Sequence, residues 1–149
     1  METKTFLGSV YLFKDLDEKE LEMIKNITKF IELNPGQKLF SENDDSDSLY
    51  IVKHGSVIVK KGTIVLCILG DGECIGEITF LNKEKRTATV TAIEKSFIFK
   101  INYDDLENLL NAEPIIASKI YKSIAKTLSK RLKDISENIK KRFQPTKFI

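Results

Sequence analysis

Histidine is almost missing from this chain. His54 is the only one in 149 residues, which excludes a metalloenzyme built on several imidazoles. Cysteine is nearly as scarce: Cys67 and Cys74 are too few and too poorly spaced for a disulfide framework or a zinc site, and they read as small core residues in a reducing compartment. No apolar run approaches the roughly 20 residues that a membrane-spanning helix needs. The opening residues from Met1 to Phe6 contain no signal-peptide h-region, so a cytoplasmic location with no membrane partner is expected. Charge of one sign is also lacking, since the net charge is only +2. The distribution says more than the sum, because between Lys119 and Lys147 ten Lys and Arg stand against two acids, Asp134 and Glu137.

What is present suffices for one domain with a real core. Asp17 and Glu20 form a D-x-x-E capping box, Leu16 can staple onto Leu21, and Leu21, Ile24 and Ile27 share a face, so the first expected element is a helix over about residues 17–28. From Thr28 to Asn102 the pattern changes to short runs alternating every two residues: Phe30–Leu33, Lys38–Phe40, Leu49–Lys53, Val57–Lys60, Ile64–Leu69, Thr87–Ala92 and Ser96–Ile101. Turn signals separate them at Pro35-Gly36, His54-Gly55, Lys61-Gly62 and Gly70-Asp71-Gly72. Such spacing predicts a barrel or jelly roll. The acidic loop Asp44-Asp45-Ser46-Asp47 lacks the glycine and downstream glutamate of a calcium-binding loop and reads as a solvated turn. Two helices then close the pattern. Asn102 caps a short one through Asn111 with Leu106, Leu109 and Leu110 inward, and Pro114 opens a longer one reaching Phe143, with Pro145 as its stop. In the longer helix Ile116, Ile120, Ile124, Leu128, Leu132, Ile135 and Ile139 form a continuous stripe, longer than one small roll can cover.

The chemistry gathers between Ile75 and Ala92. Gly76 and Glu77 open this stretch, Ile78, Phe80 and Leu81 follow, and Arg86 begins a strand-like run of Thr, Ala and Val. An anion partly removed from water needs backbone N–H groups that approach closely. Gly76 permits this, and the N-terminus of a short helix starting near Glu77 points several donors one way. It also needs a cation, and the planar fork of Arg86 can bond two phosphate oxygens. Glu77 cannot bind the anion, so its carboxylate implies a hydroxyl donor such as a ribose. Phosphate with ribose hydroxyl means a nucleotide.

At these residues the chain resembles the cyclic-nucleotide-binding domain family, the module of the catabolite activator protein and of the regulatory subunits of cyclic-AMP-dependent kinase. The family's cassette, F-G-E-L-A-L followed after a short insert by R-x-A-x-V, stands here as Ile75-Gly76-Glu77-Ile78-Thr79-Phe80-Leu81 and Arg86-Thr87-Ala88-Thr89-Val90. The resemblance implies that Glu77 binds the ribose 2′-hydroxyl and Arg86 the cyclic phosphate, with backbone groups at Gly76, Ile78, Thr79, Thr87 and Ala88 completing the cradle. Thr79 departs from the usual alanine or serine, and Lys85 from a frequent proline. Neither change removes an anchor. A second family pattern runs from Gly36 to Val57, where Asn43 replaces a glycine and is the side chain that next best tolerates a left-handed turn.

The implied fold is mostly β: an eight-stranded double-stranded β-helix, or jelly-roll-like β-roll, with an N-terminal helix and two C-terminal helices. A single domain is expected over 1–149, with the roll at about 29–102 and the C-terminal helices at about 103–143. In the family the last helix lies over the purine, which places Thr127 and Arg131 at the base, and in bacterial regulators it pairs with its mate, which implies a homodimer. The expectation is therefore a cyclic-nucleotide-binding regulatory module, with cyclic AMP favoured and cyclic GMP kept open by Thr87. No metal or other cofactor is expected. No nucleophile and base stand near Glu77, so an enzyme is not expected. No helix-turn-helix follows before Ile149 and no groove-reading pattern accompanies the basic helix, so nucleic-acid binding by the chain alone is not expected either. The signal would pass from a free-standing domain to a separate protein effector or to its own dimer. The competing readings are a ligand-free scaffold of the same fold and a truncated transcription regulator.

Overall fold

A computed structural model describes residues 2–142. Two helices come first, α1 (Thr3–Ser9) and α2 (Glu18–Asn26). The capping box forms as the sequence implies: Asp17 accepts from the Glu20 N–H at 2.9 Å, and Glu20 Oε1 accepts from the Asp17 N–H at 2.9 Å. That glutamate oxygen also receives Lys119 Nζ at 2.6 Å, so one side chain caps α2 and ties it to the last helix.

Eight strands follow: β1 (Thr28–Leu33), β2 (Lys38–Phe40), β3 (Ser48–His54), β4 (Val57–Lys61), β5 (Ile64–Leu69), β6 (Cys74–Ile75), β7 (Thr89–Ala92) and β8 (Ser96–Asn102). They form two four-stranded antiparallel sheets, ordered β1-β8-β3-β6 and β2-β7-β4-β5. The short α3 (Glu77–Asn82) interrupts the run between β6 and β7, and α4 (Tyr103–Ala112) and α5 (Pro114–Arg142) close it. The two-residue alternation explains how one strand serves two cores. Tyr50 and Val52 of β3 face the second sheet and pack with Leu33, Val57, Val90 and Ile98. Leu49 and Ile51 point the other way, into a layer of Phe6, Leu7, Phe13, Ile24, Leu106, Ile116, Ile120 and Ile124 contributed by the helices.

Four expectations need correction. The helix capped by Asp17 is not the first element, because α1 precedes it. Seven residues are too few for periodicity to reveal, and α1 is held by burying Phe6 and Leu7 rather than by a side-chain cap. Thr28 belongs to β1 rather than to α2. The eighth strand, β6, is only two residues long and was not among the seven runs. Finally, β7 begins at Thr89, so Arg86, Thr87 and Ala88 lie outside the strand. The reason is that Arg86 spends its backbone elsewhere: its N–H donates to Asp44 O and its O accepts from Asn43 N–H, both at 2.8 Å. Asn43 itself sits at φ 71, the left-handed conformation expected of it. Phe143 and Pro145, the expected end and stop of the last helix, lie outside the described residues.

Along α5 the apolar stripe divides in two. Ile116, Ile120 and Ile124 are buried, whereas Leu128, Leu132, Ile135 and Ile139 are exposed. Among the described residues no helix is long and apolar enough to cross a membrane.

The Asp17 cap generates a direct expectation. Asp17→Ala should cost about 1 kcal/mol of folding stability, read as a lower denaturant midpoint at unchanged slope. A midpoint equal to that of wild type would show that the box does not hold the helix.

Candidate functional site

The site is built where β6 gives way to α3. Gly76 is the N-cap of α3 at φ 95, a conformation that L side chains rarely adopt. Space is equally restrictive, because a Cβ at Gly76 would lie 2.7 Å from Arg86 Nη1 and 2.9 Å from the Tyr103 hydroxyl. Glu77, Ile78 and Thr79 form the first turn of α3, whose N–H groups have no acceptor within the helix. Across from them the turn at Asn43–Asp44 delivers Arg86, followed by Thr87 and Ala88. All seven residues picked from the sequence (Gly76, Glu77, Ile78, Thr79, Arg86, Thr87 and Ala88) line one cavity of about 200 Å³, floored by Phe40, Val59, Ile75 and Val90.

Arg86 is 3% exposed. Its Nη2 donates to Ser48 O at 2.6 Å, while Nη1 holds Thr79 Oγ1 and the Tyr103 hydroxyl at 3.4 and 3.3 Å. The Phe40 ring lies 4.1 Å from its Cζ. Every one of these partners is neutral, and among the described residues Arg86 forms no salt bridge. Its Nε is enclosed and has no acceptor. A buried guanidinium with no carboxylate partner among the described residues has the chemistry to hold an anion.

Tyr103, the first residue of α4, sits at the centre of this arrangement. Its hydroxyl donates to Gly76 O at 2.6 Å and lies 2.8 Å from Thr79 Oγ1. The threonine that departs from the family pattern therefore has a partner here. Glu77 is 6% exposed, and its Oε1 accepts from the Tyr11 hydroxyl at 3.0 Å. Burial first, and then the Glu77 carboxylate, holds the Tyr11 phenol far above its ordinary range. Burial likewise pushes the Cys74 thiol well up, which keeps it protonated and unreactive.

A second cavity, of about 960 Å³, adjoins the first and shares Cys67, Leu69, Cys74 and Glu77 with it. Arg131 of α5 lines this larger space, as do Tyr11 and Ser9. Thr127, expected beside Arg131 over the base, is half-buried and lines neither cavity. Sequence reasoning missed Tyr11, Tyr103 and Ser48. No local pattern marks them, since their contacts to Glu77, Gly76 and Arg86 span 66, 27 and 38 residues.

The two-sheet roll thus carries a glycine-capped short helix, a buried carboxylate and a buried arginine on one cavity, an arrangement chemically suited to an anion. The cyclic nucleotide-binding domain family matches residues 30–113, more than half of the sequence, and the chain belongs to that family. A cGMP-dependent protein kinase of Toxoplasma gondii is 36% identical over 109 residues, which are 73% of this chain and 11% of the kinase. The chain thus spans about a tenth of the length of the curated relatives it matches first. Among solved structures, the N-terminal domain of a transcriptional regulator from Streptomyces coelicolor A3(2) superposes with a TM-score of 0.77 at 28% identity, covering 87% of this chain and 94% of that one. The regulatory domain of Toxoplasma gondii PKA, crystallised with cAMP, gives a TM-score of 0.65 at 28% identity over 74% of this chain and 42% of that one.

The close packing at Gly76 is testable without any ligand. Gly76→Ala should cost about 1–3 kcal/mol from the left-handed backbone alone, before the displacement of Arg86 is added. An unchanged denaturant midpoint would overturn the packing argument.

Proposed function

We propose that this chain binds a cyclic nucleotide monophosphate, with cyclic AMP as the favoured ligand and cyclic GMP as the competitor, and acts as a regulatory module rather than an enzyme. The observation that carries this reading is Arg86, buried without a carboxylate and with Nε unpartnered. The cyclic phosphate supplies the missing anion, pairing with the Arg86 guanidinium and the first-turn amides of α3. Glu77 takes the ribose 2′-hydroxyl. Backbone groups at Gly76, Ile78, Thr79, Thr87 and Ala88 close around the phosphate, and the base extends into the larger cavity beneath Arg131. The Thr87 hydroxyl beside Arg86, together with the likeness to a cGMP-dependent kinase, is what supports cyclic GMP as the competing ligand.

Binding shifts a population rather than pushing a part. The ligand moves α5 toward a closed position only by its higher affinity for that state. The signal leaves through a second copy of the chain or a separate protein effector. The exposed Leu128, Leu132, Ile135 and Ile139 recur at steps of four, three and four, the spacing of a two-stranded coiled-coil seam, and favour a homodimer through α5.

Two measurements check this. Thermal unfolding of wild type with ligand at about 100 times its dissociation constant should gain ~2.7 kcal/mol, a rise on the order of 5 to 10 °C for a domain near this size. Arg86→Ala should lose roughly 2–5 kcal/mol of binding by leaving a buried phosphate unpaired, and equal affinity in the variant would sink the assignment. For the dimer, light scattering should give a mass of two chains for wild type and one for Leu132→Glu. A wild-type mass of one chain with and without nucleotide would remove the α5 seam.

A further inference from the structure

The cassette carries one contact that its own residues do not explain. The Glu77 carboxylate belongs to α3, yet its Oε1 is held by the hydroxyl of Tyr11, 66 residues earlier, at 3.0 Å. Tyr11 lies in the turn between α1 and α2, where its neighbours Leu12 and Phe13 are buried under α4 and α5. It approaches Glu77 from one side only: Tyr11 lines the larger cavity and not the cassette cavity, whereas Glu77 lines both. The hydroxyl thus reaches the carboxylate from a residue that lines the larger cavity alone. Among the described residues the second oxygen, Oε2, has no hydrogen-bond partner, and it is not among the enclosed unpaired atoms.

We infer that Tyr11 is a positioning residue for Glu77, fixing Oε1 so that Oε2 faces the cassette and accepts the ligand's ribose hydroxyl. This rests on the ribose role proposed for Glu77 above. The chemistry fits the geometry. A carboxylate with one oxygen anchored loses rotational freedom about its last bond, so the remaining oxygen is preorganised for a donor instead of searching for one. The phenol is suited to that task because burial and the adjacent carboxylate raise its pKa above the ordinary tyrosine range, which keeps it a donor. Arg131, which lines the same cavity, acts on the phenol in the opposite sense but does not outweigh burial. Tyr11 is therefore a specificity device for the sugar: it strengthens discrimination between a ribose and a 2′-deoxyribose without touching either.

The test compares cyclic AMP with 2′-deoxy cyclic AMP by calorimetric titration against wild type, Tyr11→Phe and Glu77→Gln. A hydrogen bond to a charged group gives wild type an expected preference for the ribose form of about tenfold to a hundredfold. Tyr11→Phe, which keeps the ring and its packing, should shrink that preference by at least about threefold while binding 2′-deoxy cyclic AMP as wild type does. The ratio is taken within each variant, so any difference in folded fraction cancels. A preference unaltered in Tyr11→Phe overturns the positioning role alone. Tighter binding of cyclic AMP by Tyr11→Phe would also overturn it, by showing that the phenol blocks the carboxylate. No preference in wild type, with Glu77→Gln binding both ligands equally, overturns the ribose role of Glu77 and this inference with it.

Discussion

A guanidinium withdrawn from water and given no carboxylate is the constraint around which the cassette is arranged. Arg86 reaches its place by main-chain bonds to the Asn43–Asp44 turn, and its head is steadied by a carbonyl, two hydroxyls and an aromatic face. None of these neutralises its charge. Gly76 has to be glycine because Arg86 and Tyr103 fill the volume where a side chain would begin. Tyr103 has to reach back from α4 because the Gly76 carbonyl points at it. The neutral partners orient the arginine without compensating its charge.

Two tyrosines bind this centre to the helical layer. Tyr103 joins the cassette to the first residue of α4, and Tyr11 joins Glu77 to the turn between α1 and α2. On the far side of that layer Glu20 caps α2 and pairs with Lys119 of α5. The polar bonds at the cassette and at the α2 cap are thus connected through one apolar layer of Leu12, Phe13, Leu106, Ile120 and Ile124. Phe6, Ser9 and Arg131 of the helices line the larger cavity beside Glu77.

Those parts of the fold written in local chemistry were legible in the sequence. The Asp17–Glu20 box, the left-handed Asn43, the Asn102 cap of α4 and seven of the eight strands each follow from residues within a few positions of one another. The seven cassette residues were picked from the resemblance of Ile75–Leu81 and Arg86–Val90 to the family's pattern, and the fold brings all seven to one cavity. What could not be read has a common cause. The α1 helix is held by tertiary burial of Phe6 and Leu7, β6 is two residues long, and the hydroxyls of Tyr11 and Tyr103 serve partners remote in sequence. Thr127 was assigned by register on a long helix, and a helix face specifies direction better than it specifies depth.

The division of α5 has a mechanical consequence. Ile116, Ile120 and Ile124 clamp one end of a continuous 29-residue helix, and the 18 positions from Ile124 to Arg142 extend beyond the clamp, an arm of about 27 Å at 1.5 Å per residue. A pivot of about 10° at the buried isoleucines sweeps the tip through roughly 5 Å, about the pitch of one helical turn. A tilt at the buried isoleucines too small to disturb the packed roll would thereby move the helix tip by a distance comparable to one turn of helix.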